Sequence, residues 1–259
     1  MSDLSLRSRS AAELIDAAFR MYRQYFSGFL TLSALVYLPA FALNVMVGRM
    51  APQVETMQPG PLLAMFGALI LLASWYAIME AALSIATSDR YLGREIDPGR
   101  AFREALSRPG TLIAAKLWTW FVMFFALIFF FIPWVYFFAR YFAIPQTILF
   151  ERLGVFKGIA RSRQLAKGEK WKALRSLGLI WLIFFTVSVG LSLLMQPAPG
   201  STPSILSHLV NSVVYIIAYP LVPITATLLY YDVRIRREAF DIEVMSANLE
   251  NTAPAARAG

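Results

Sequence analysis

"TLIAAKLWTWFVMFFALIFFFIPWVYFFARYFAIPQTILF", residues 111–150, is an apolar run of forty residues that holds two charges, Lys116 and Arg140. The hydrocarbon core of a bilayer is roughly 30 Å thick and takes about 20 helical residues, so this run is about twice the length of one span. Pro133, in "FIPW" at 131–134, falls near the midpoint, and a proline that ends a helix there makes the run a tight hairpin of two. Shorter apolar stretches near 28–48, 62–88, 171–195 and 207–231 supply one span each. Divided into spans of about 111–131 and 134–150, the long run brings the total to six.

Charge distribution supports the division. Six spans place segments 1–27, 89–110, 151–175 and 232–259 on one side of the membrane, and these hold 21 of the 24 lysines and arginines. The opposite loops hold only Arg49. By the positive-inside rule the crowded side is cytoplasmic, with both termini on it. Five spans would put the basic 151–175 segment on the same side as Arg49. Composition agrees: 58% of residues are hydrophobic, 15% are charged and mean hydropathy is +0.57, against about 45–50% apolar and about 25% charged in soluble domains. The chain is therefore read as an integral membrane protein. Its net charge of +8 follows from the loops and does not call for nucleic acid. The first 28 residues carry Asp3, Glu13 and Asp16, so no cleavable signal peptide is read and the first span is expected to act as its own insertion signal.

Between the spans lie short amphipathic segments. "SAAEL" at 10–14 has capping-box spacing between Ser10 and Glu13, and Leu14, Ile15, Ala18, Phe19 and Tyr22 share one face. In "DPGRAF", Asp97 is a helix N-cap with Pro98 at the first helical position. A third segment starts near Val155. The expected fold is all-α and polytopic, with six transmembrane helices arranged as three hairpins and interfacial helices near 10–26, 97–108, 154–167 and 234–249 on the cytoplasmic side. One integral domain covers residues 1–250, and 251–259, "NTAPAARAG", is a disordered tail. Helices of this kind lie in the headgroup layer or seal the end of the bundle, and amphipathicity alone does not choose between the two.

Charges within spans are costly and are generally kept for a reason. Glu80 shares a face with Ala73, Ala77, Ala81, Ser84 and Ser88, a stripe of small residues that lets helices approach closely. Glu80 is nine residues from Asp89, and Lys116 is six from Gly110. At about 1.5 Å per residue both fall in the cytoplasmic half, which predicts an ion pair. Arg140 is expected to snorkel outward or to find a polar partner elsewhere. A packing pair and an ion or proton pathway are both open for Glu80.

The absence of cysteine and the single His208 leave no thiolate site and no multi-histidine metal centre. There is no Walker loop, Gly-x-Ser-x-Gly elbow or HExxH. No catalytic residue, metal site or cofactor is expected. Segment 151–175 carries eight basic and two acidic residues, and each cation near an anionic leaflet is worth about 1 kcal/mol. Arg161, Arg163, Lys167, Lys170, Trp171, Lys172 and Arg175 are therefore the expected contacts with anionic membrane lipids or a protein partner. In the last charged stretch, Asp232 with Arg236, Arg234 with Glu238 and Arg237 with Asp241 stand four residues apart. That spacing predicts a self-neutralised helix leaving the membrane.

"RSRQLAKGEKW" at 161–171 and "YYDVRIRREAFDIE" at 230–243 resemble the membrane-domain family associated with some bacterial glycerophosphodiester phosphodiesterases. The likeness extends to "AIPQTILFE" at 143–151 and, in layout, to nearly the whole chain. Where that family often has glycine between the glutamate and phenylalanine of the last motif, this chain has Ala239, which favours an unbroken helix. The resemblance implies a stand-alone multi-span module of the bacterial cytoplasmic (inner) membrane. It does not imply the phosphodiesterase activity, which in two-domain relatives belongs to a separate soluble domain. The expectation is a non-enzymatic accessory or scaffold protein contacting headgroups or a partner at the cytoplasmic face, with a transporter or channel component using the Glu80 region as the alternative.

Overall fold

The computed structural model describes residues 9–54, 59–129, 131–194 and 205–238, and among them every regular element is a helix. The tail 251–259, Asp241, Ala239 and most of the expected 234–249 helix lie outside the described residues.

Helix α1 (Ala11–Gln24) opens on a complete capping box. The Ser10 amide donates to Glu13 Oε2 at 2.7 Å, and the Glu13 amide donates to Ser10 Oγ at 3.2 Å. Its buried face is Leu14, Ala17, Ala18, Met21 and Tyr22. The Tyr22 hydroxyl donates to the Ile217 carbonyl at 2.6 Å, and burial pushes its pKa up to about 12. Helix α2 (Phe26–Val54) is bent by 45° between Phe26–Leu35 and Tyr37–Val47. Pro39 explains the position of the bend, because its ring opposes the carbonyl four residues earlier, at Leu35. Helix α3 (Pro59–Tyr91) buries the stripe Ala73, Ala77, Ala81, Ser84 and Ser88. Small side chains there let α2, α5 (Pro109–Phe129) and α11 (Leu221–Glu238) pack closely on it. Helix α4 (Pro98–Ala105) starts at Asp97, which accepts from the Arg100 amide at 3.0 Å.

Among the described residues four helices are long and apolar enough to cross a membrane: Pro59–Tyr91, Pro109–Phe129, Lys170–Leu191 and His208–Glu238. Bent α2 makes a fifth if its two arms form one span. The chain is a multi-pass membrane protein. The stretch expected as one span at 134–150 departs from a single helix. It is divided into α6 (Phe131–Arg140) and α7 (Ile144–Phe150), separated by residues 141–143. Ten residues of helix reach about 15 Å, half the hydrocarbon thickness, so α6 does not cross by itself. Pro133 does not break α6, because it sits in the first turn, where a missing amide hydrogen is tolerated. The interruption falls instead next to α8 (Val155–Leu165), whose Ser162 hydroxyl donates to the Arg140 carbonyl and accepts from the Ala143 amide, each at 3.2 Å.

Helix α9 (Lys170–Leu194) and α10 (Ile205–Ala218) complete the bundle, and a turn at Tyr219 and Pro220 joins α10 to α11. Every residue of α11 from Leu221 to Val233 is buried. It packs against α1, α3, α8 and α9, so this helix is the central post of the fold. The amphipathic helices α1, α4 and α8 gather around one end of the bundle, called here the charged end.

Helix α8 lies against α7 with Gly158 at the closest approach. A Cβ on Gly158 would stand 2.9 Å from Ile148 Cγ1 and 3.3 Å from Thr147 Oγ1, whereas one on Gly154 would meet nothing within 4 Å. Both neighbours are fully buried. Gly158→Ala should therefore destabilise the protein by about 1–3 kcal/mol through overpacking. Thermal unfolding in detergent should show a lowered midpoint for Gly158→Ala, and an unchanged midpoint would remove the close packing of α7 and α8 from the account.

Candidate functional site

The three motifs at 143–151, 161–171 and 230–243 are far apart in the chain and meet at the charged end. Glu151, which follows α7, accepts from Arg161 Nε at 2.7 Å and from the Tyr230 hydroxyl at 3.0 Å. The same Arg161 reaches Glu238 at 2.6 Å, and Arg234 Nε reaches Glu238 at 3.1 Å. One chain of charges thus ties α8 to α7 and to the end of α11. Burial alone would lower the Arg161 pKa, but hydrogen bonds from Glu151 and Glu238 outweigh it and raise it. Arg237 donates to the carbonyls of Gln164 at 2.6 Å and Lys167 at 2.9 Å, closing the turn after α8 onto α11.

Asp232 is the second node. Its carboxylate is buried and takes Lys172, the backbone amide of Arg9 and, at 3.3 Å, Arg236. A buried carboxylate is tolerable only when so provided with donors. Asp89, at the end of α3, is a third node, held by Arg100 and, at 3.3 Å, by Arg94.

Inside the bundle, neutral polar groups meet between α3, α7 and α11. Gln146 of α7 is fully buried, and its Nε2 donates to Ser84 Oγ of α3 and Thr227 Oγ1 of α11, each at 3.3 Å. The Oε1 atom of the same amide is buried without a partner among the described residues. Ser88 and Tyr231 share a hydrogen bond at 2.5 Å. Further up the same helix, Glu80 Oε2 accepts from Lys116 Nζ at 2.5 Å, both side chains being mostly buried.

The residues singled out in the sequence fall into distinct groups. Glu80 and Lys116 are brought together between α3 and α5. The expectation of a self-neutralised last helix needs correction. Arg236 with Asp232 and Arg234 with Glu238 do pair within α11, but Asp232 is shared with Lys172 and Glu238 with Arg161. These are bonds between helices, which i to i+4 spacing alone does not reveal. The expected headgroup set falls into two groups. Arg161 and Lys172 are engaged by carboxylates, whereas Lys167, Trp171 and Arg175 are exposed. Arg163 donates to the Tyr141 hydroxyl at 3.0 Å, and Lys170 lies 4.6 Å from the centroid of the Tyr136 ring. Arg140 does not point away alone: it donates to the Tyr136 hydroxyl. Gln146, Glu151 and Ser162 were not singled out as site residues from the sequence. Their signal was their position inside the quoted motifs.

Comparison with family models, with curated proteins and with solved structures found no match to this chain. Among the described residues no group of three or more histidine, aspartate or glutamate side chains is arranged to hold a metal ion.

Removing one partner of a buried pair leaves an uncompensated charge, at about 3–5 kcal/mol, whereas an exposed pair such as Arg20 with Asp16 is worth about 0–1 kcal/mol. Asp232→Ala should lower the detergent unfolding midpoint far more than Asp16→Ala, and adding Lys172→Met should recover part of the loss. Equal, small shifts for the two single variants would show that Asp232 does not hold the charged end together.

Proposed function

We propose that this chain is a non-enzymatic accessory or scaffold protein of the bacterial cytoplasmic (inner) membrane that contacts anionic headgroups, or a partner protein, through its charged end. The observation that carries this reading is the surface of α8 and the start of α9. Phe156 and Trp171 are 74% and 73% exposed, and exposed Lys157, Lys167 and Arg175 lie close to them in the chain. Large apolar side chains standing free beside cations suit the headgroup layer, where one side of a residue is wet and the other greasy. The Phe156 ring also lies 6.1 Å from Trp118, on the exposed aromatic flank of α5.

Within this reading the chain crosses six times, with α6 and α7 together forming the fourth crossing, and the charged end faces the cytoplasm along with both termini. The motifs at 143–151, 161–171 and 230–243 support kinship with the membrane domains associated with glycerophosphodiester phosphodiesterases. No catalytic step is carried over from that kinship. The competing reading is a transport component using the Glu80 region, and the orphaned Oε1 of Gln146 beside two interrupted helices is the observation that favours it.

Purification from native membranes followed by mass spectrometry should recover anionic phospholipid, and Lys157→Gln, Lys167→Gln and Arg175→Gln combined should reduce it. Flux in proteoliposomes that disappears with Glu80→Gln would move the assignment to transport. Hydrolysis of a glycerophosphodiester by the purified protein would overturn the non-enzymatic reading. Orientation has its own test, since the chain lacks cysteine and Ser107 is exposed after α4. Ser107→Cys should react with an impermeant maleimide only after cells are opened, and labelling of intact cells would invert the topology.

A further inference from the structure

We propose that Arg140, Arg163 and Lys170 form a site for a single phosphate group of a phospholipid headgroup. The proposal rests on the lipid-contacting reading above and makes it specific. Arg140 of α6 and Lys170 of α9 lie over the ring of Tyr136, and Arg163 of α8 lies over that of Tyr141, just past the end of α6. Arg140 Cζ lies 5.5 Å and Lys170 Nζ 4.6 Å from the Tyr136 ring centroid, and Arg163 Cζ lies 5.5 Å from that of Tyr141. Ser162, next to Arg163, is bonded to the Arg140 carbonyl, so the backbone that carries these charges is pinned in place.

What distinguishes this cluster is its missing counter-charge. The other cation-rich points of the charged end are centred on Asp89, Glu151, Asp232 or Glu238. Among the described residues no carboxylate pairs with Arg140, Arg163 or Lys170. Ring faces and hydroxyls attract cations but carry no full charge, so the repulsion among three like charges stays uncancelled. A second observation is independent of the charge count: Arg140 Nε and Arg163 Nε are buried donors without an acceptor among the described residues, a condition native proteins generally avoid. Turning either guanidinium fork toward an oxyanion would give its Nε hydrogen a partner, and two arginine forks with one ammonium match the tetrahedral oxygens of phosphate.

The surroundings favour phosphate that is attached to a lipid. Along α6 the side chains of Phe131 and Ile132 are 66% and 79% exposed, and Tyr136 follows toward Arg140. Tails laid against that greasy flank would bring the phosphate to the three cations at its end. Carbonyl and carbohydrate headgroup chemistry offers no comparable match to a site built only of cations and tyrosines.

The test uses the full-length protein in detergent, with native mass spectrometry and added phosphatidylglycerol, phosphatidylcholine or inorganic phosphate. Wild type should retain one phosphatidylglycerol in preference to phosphatidylcholine. Arg140→Gln with Arg163→Gln should weaken that binding about thirtyfold and Lys170→Gln about fivefold, while the combined Lys157, Lys167 and Arg175 variant should leave this one lipid bound. If the double variant aggregates, Lys170→Gln alone decides. Loss of the lipid in the surface variant, with full retention in the double variant, would overturn this site and leave general headgroup contact standing. No preference for phosphatidylglycerol in any variant would overturn both. Displacement of the lipid by inorganic phosphate at equal concentration would overturn the lipid-borne source.

Discussion

Residues 141–143 interrupt the most apolar run in the chain, and the polar backbone groups released by that interruption have to be met inside the protein. Ser162 meets two of them, donating to the carbonyl on one side of the gap and accepting from the amide on the other. The consequences extend in both directions. On the inner side, α7 is turned into the bundle, which delivers Gln146 to Ser84 and Thr227 and Glu151 to Arg161 and Tyr230. On the outer side, Arg140 is kept at the edge of α8. An unbroken helix through 131–150 would present these residues on a rotating surface and could not send the two halves to different places.

Helix α11 imposes the complementary constraint. A helix buried on all sides is ordinarily apolar all round, yet α11 carries Thr225, Thr227, Tyr230, Tyr231 and Asp232 within its buried length. Each of these polar groups is answered. Thr225 bonds back to the Leu221 carbonyl at 2.8 Å, Thr227 takes Gln146, Tyr230 takes Glu151, Tyr231 takes Ser88, and Asp232 takes three donors. The partners come from α3, α7, α9 and the segment before α1. Polar satisfaction therefore fixes which helices surround the central post, a specification that apolar packing between membrane helices would leave loose.

The local features were legible because their causes are local. Ser10 with Glu13 and Asp97 with Pro98 are short-range signals, and both helices start where those residues place them. Depth counting put Glu80 and Lys116 at the same level, and the two stand 2.5 Å apart. The interruption at 141–143 had one local signal, Pro145, whose ring opposes the Tyr141 carbonyl as Pro39 opposes that of Leu35, but the group that stabilises it comes from residue 162. Pro133 marks the division expected near it, since α5 ends at Phe129 and α6 starts at Phe131 with the proline in its first turn. In 230–243 helical spacing correctly paired Asp232 with Arg236 and Arg234 with Glu238, but it could not show that the same two carboxylates are shared with Lys172 and Arg161 from other helices. The distant pairings of Glu151, Gln146 and Asp232 depend on tertiary placement that no spacing rule contains.

Counting cations by sequence treats Arg161, Arg163, Lys170 and Lys172 as equivalent members of one basic segment. The fold divides them. Arg161 and Lys172 face carboxylates and are spent on holding α8 and α9 to α11, so their charge is cancelled before any ligand arrives. Arg163 and Lys170 face tyrosines, and Arg140, twenty-three residues before Arg163 in the chain, is held beside α8 by the hydroxyl of Ser162. A cation already paired can bind an anion only by giving up its carboxylate, which sets two interactions against one. A cation resting on a ring gives up far less. Among the described residues, Arg140, Arg163 and Lys170 are cations that the carboxylate pairing passes over, and the same serine that closes the helix gap holds the Arg140 backbone against α8.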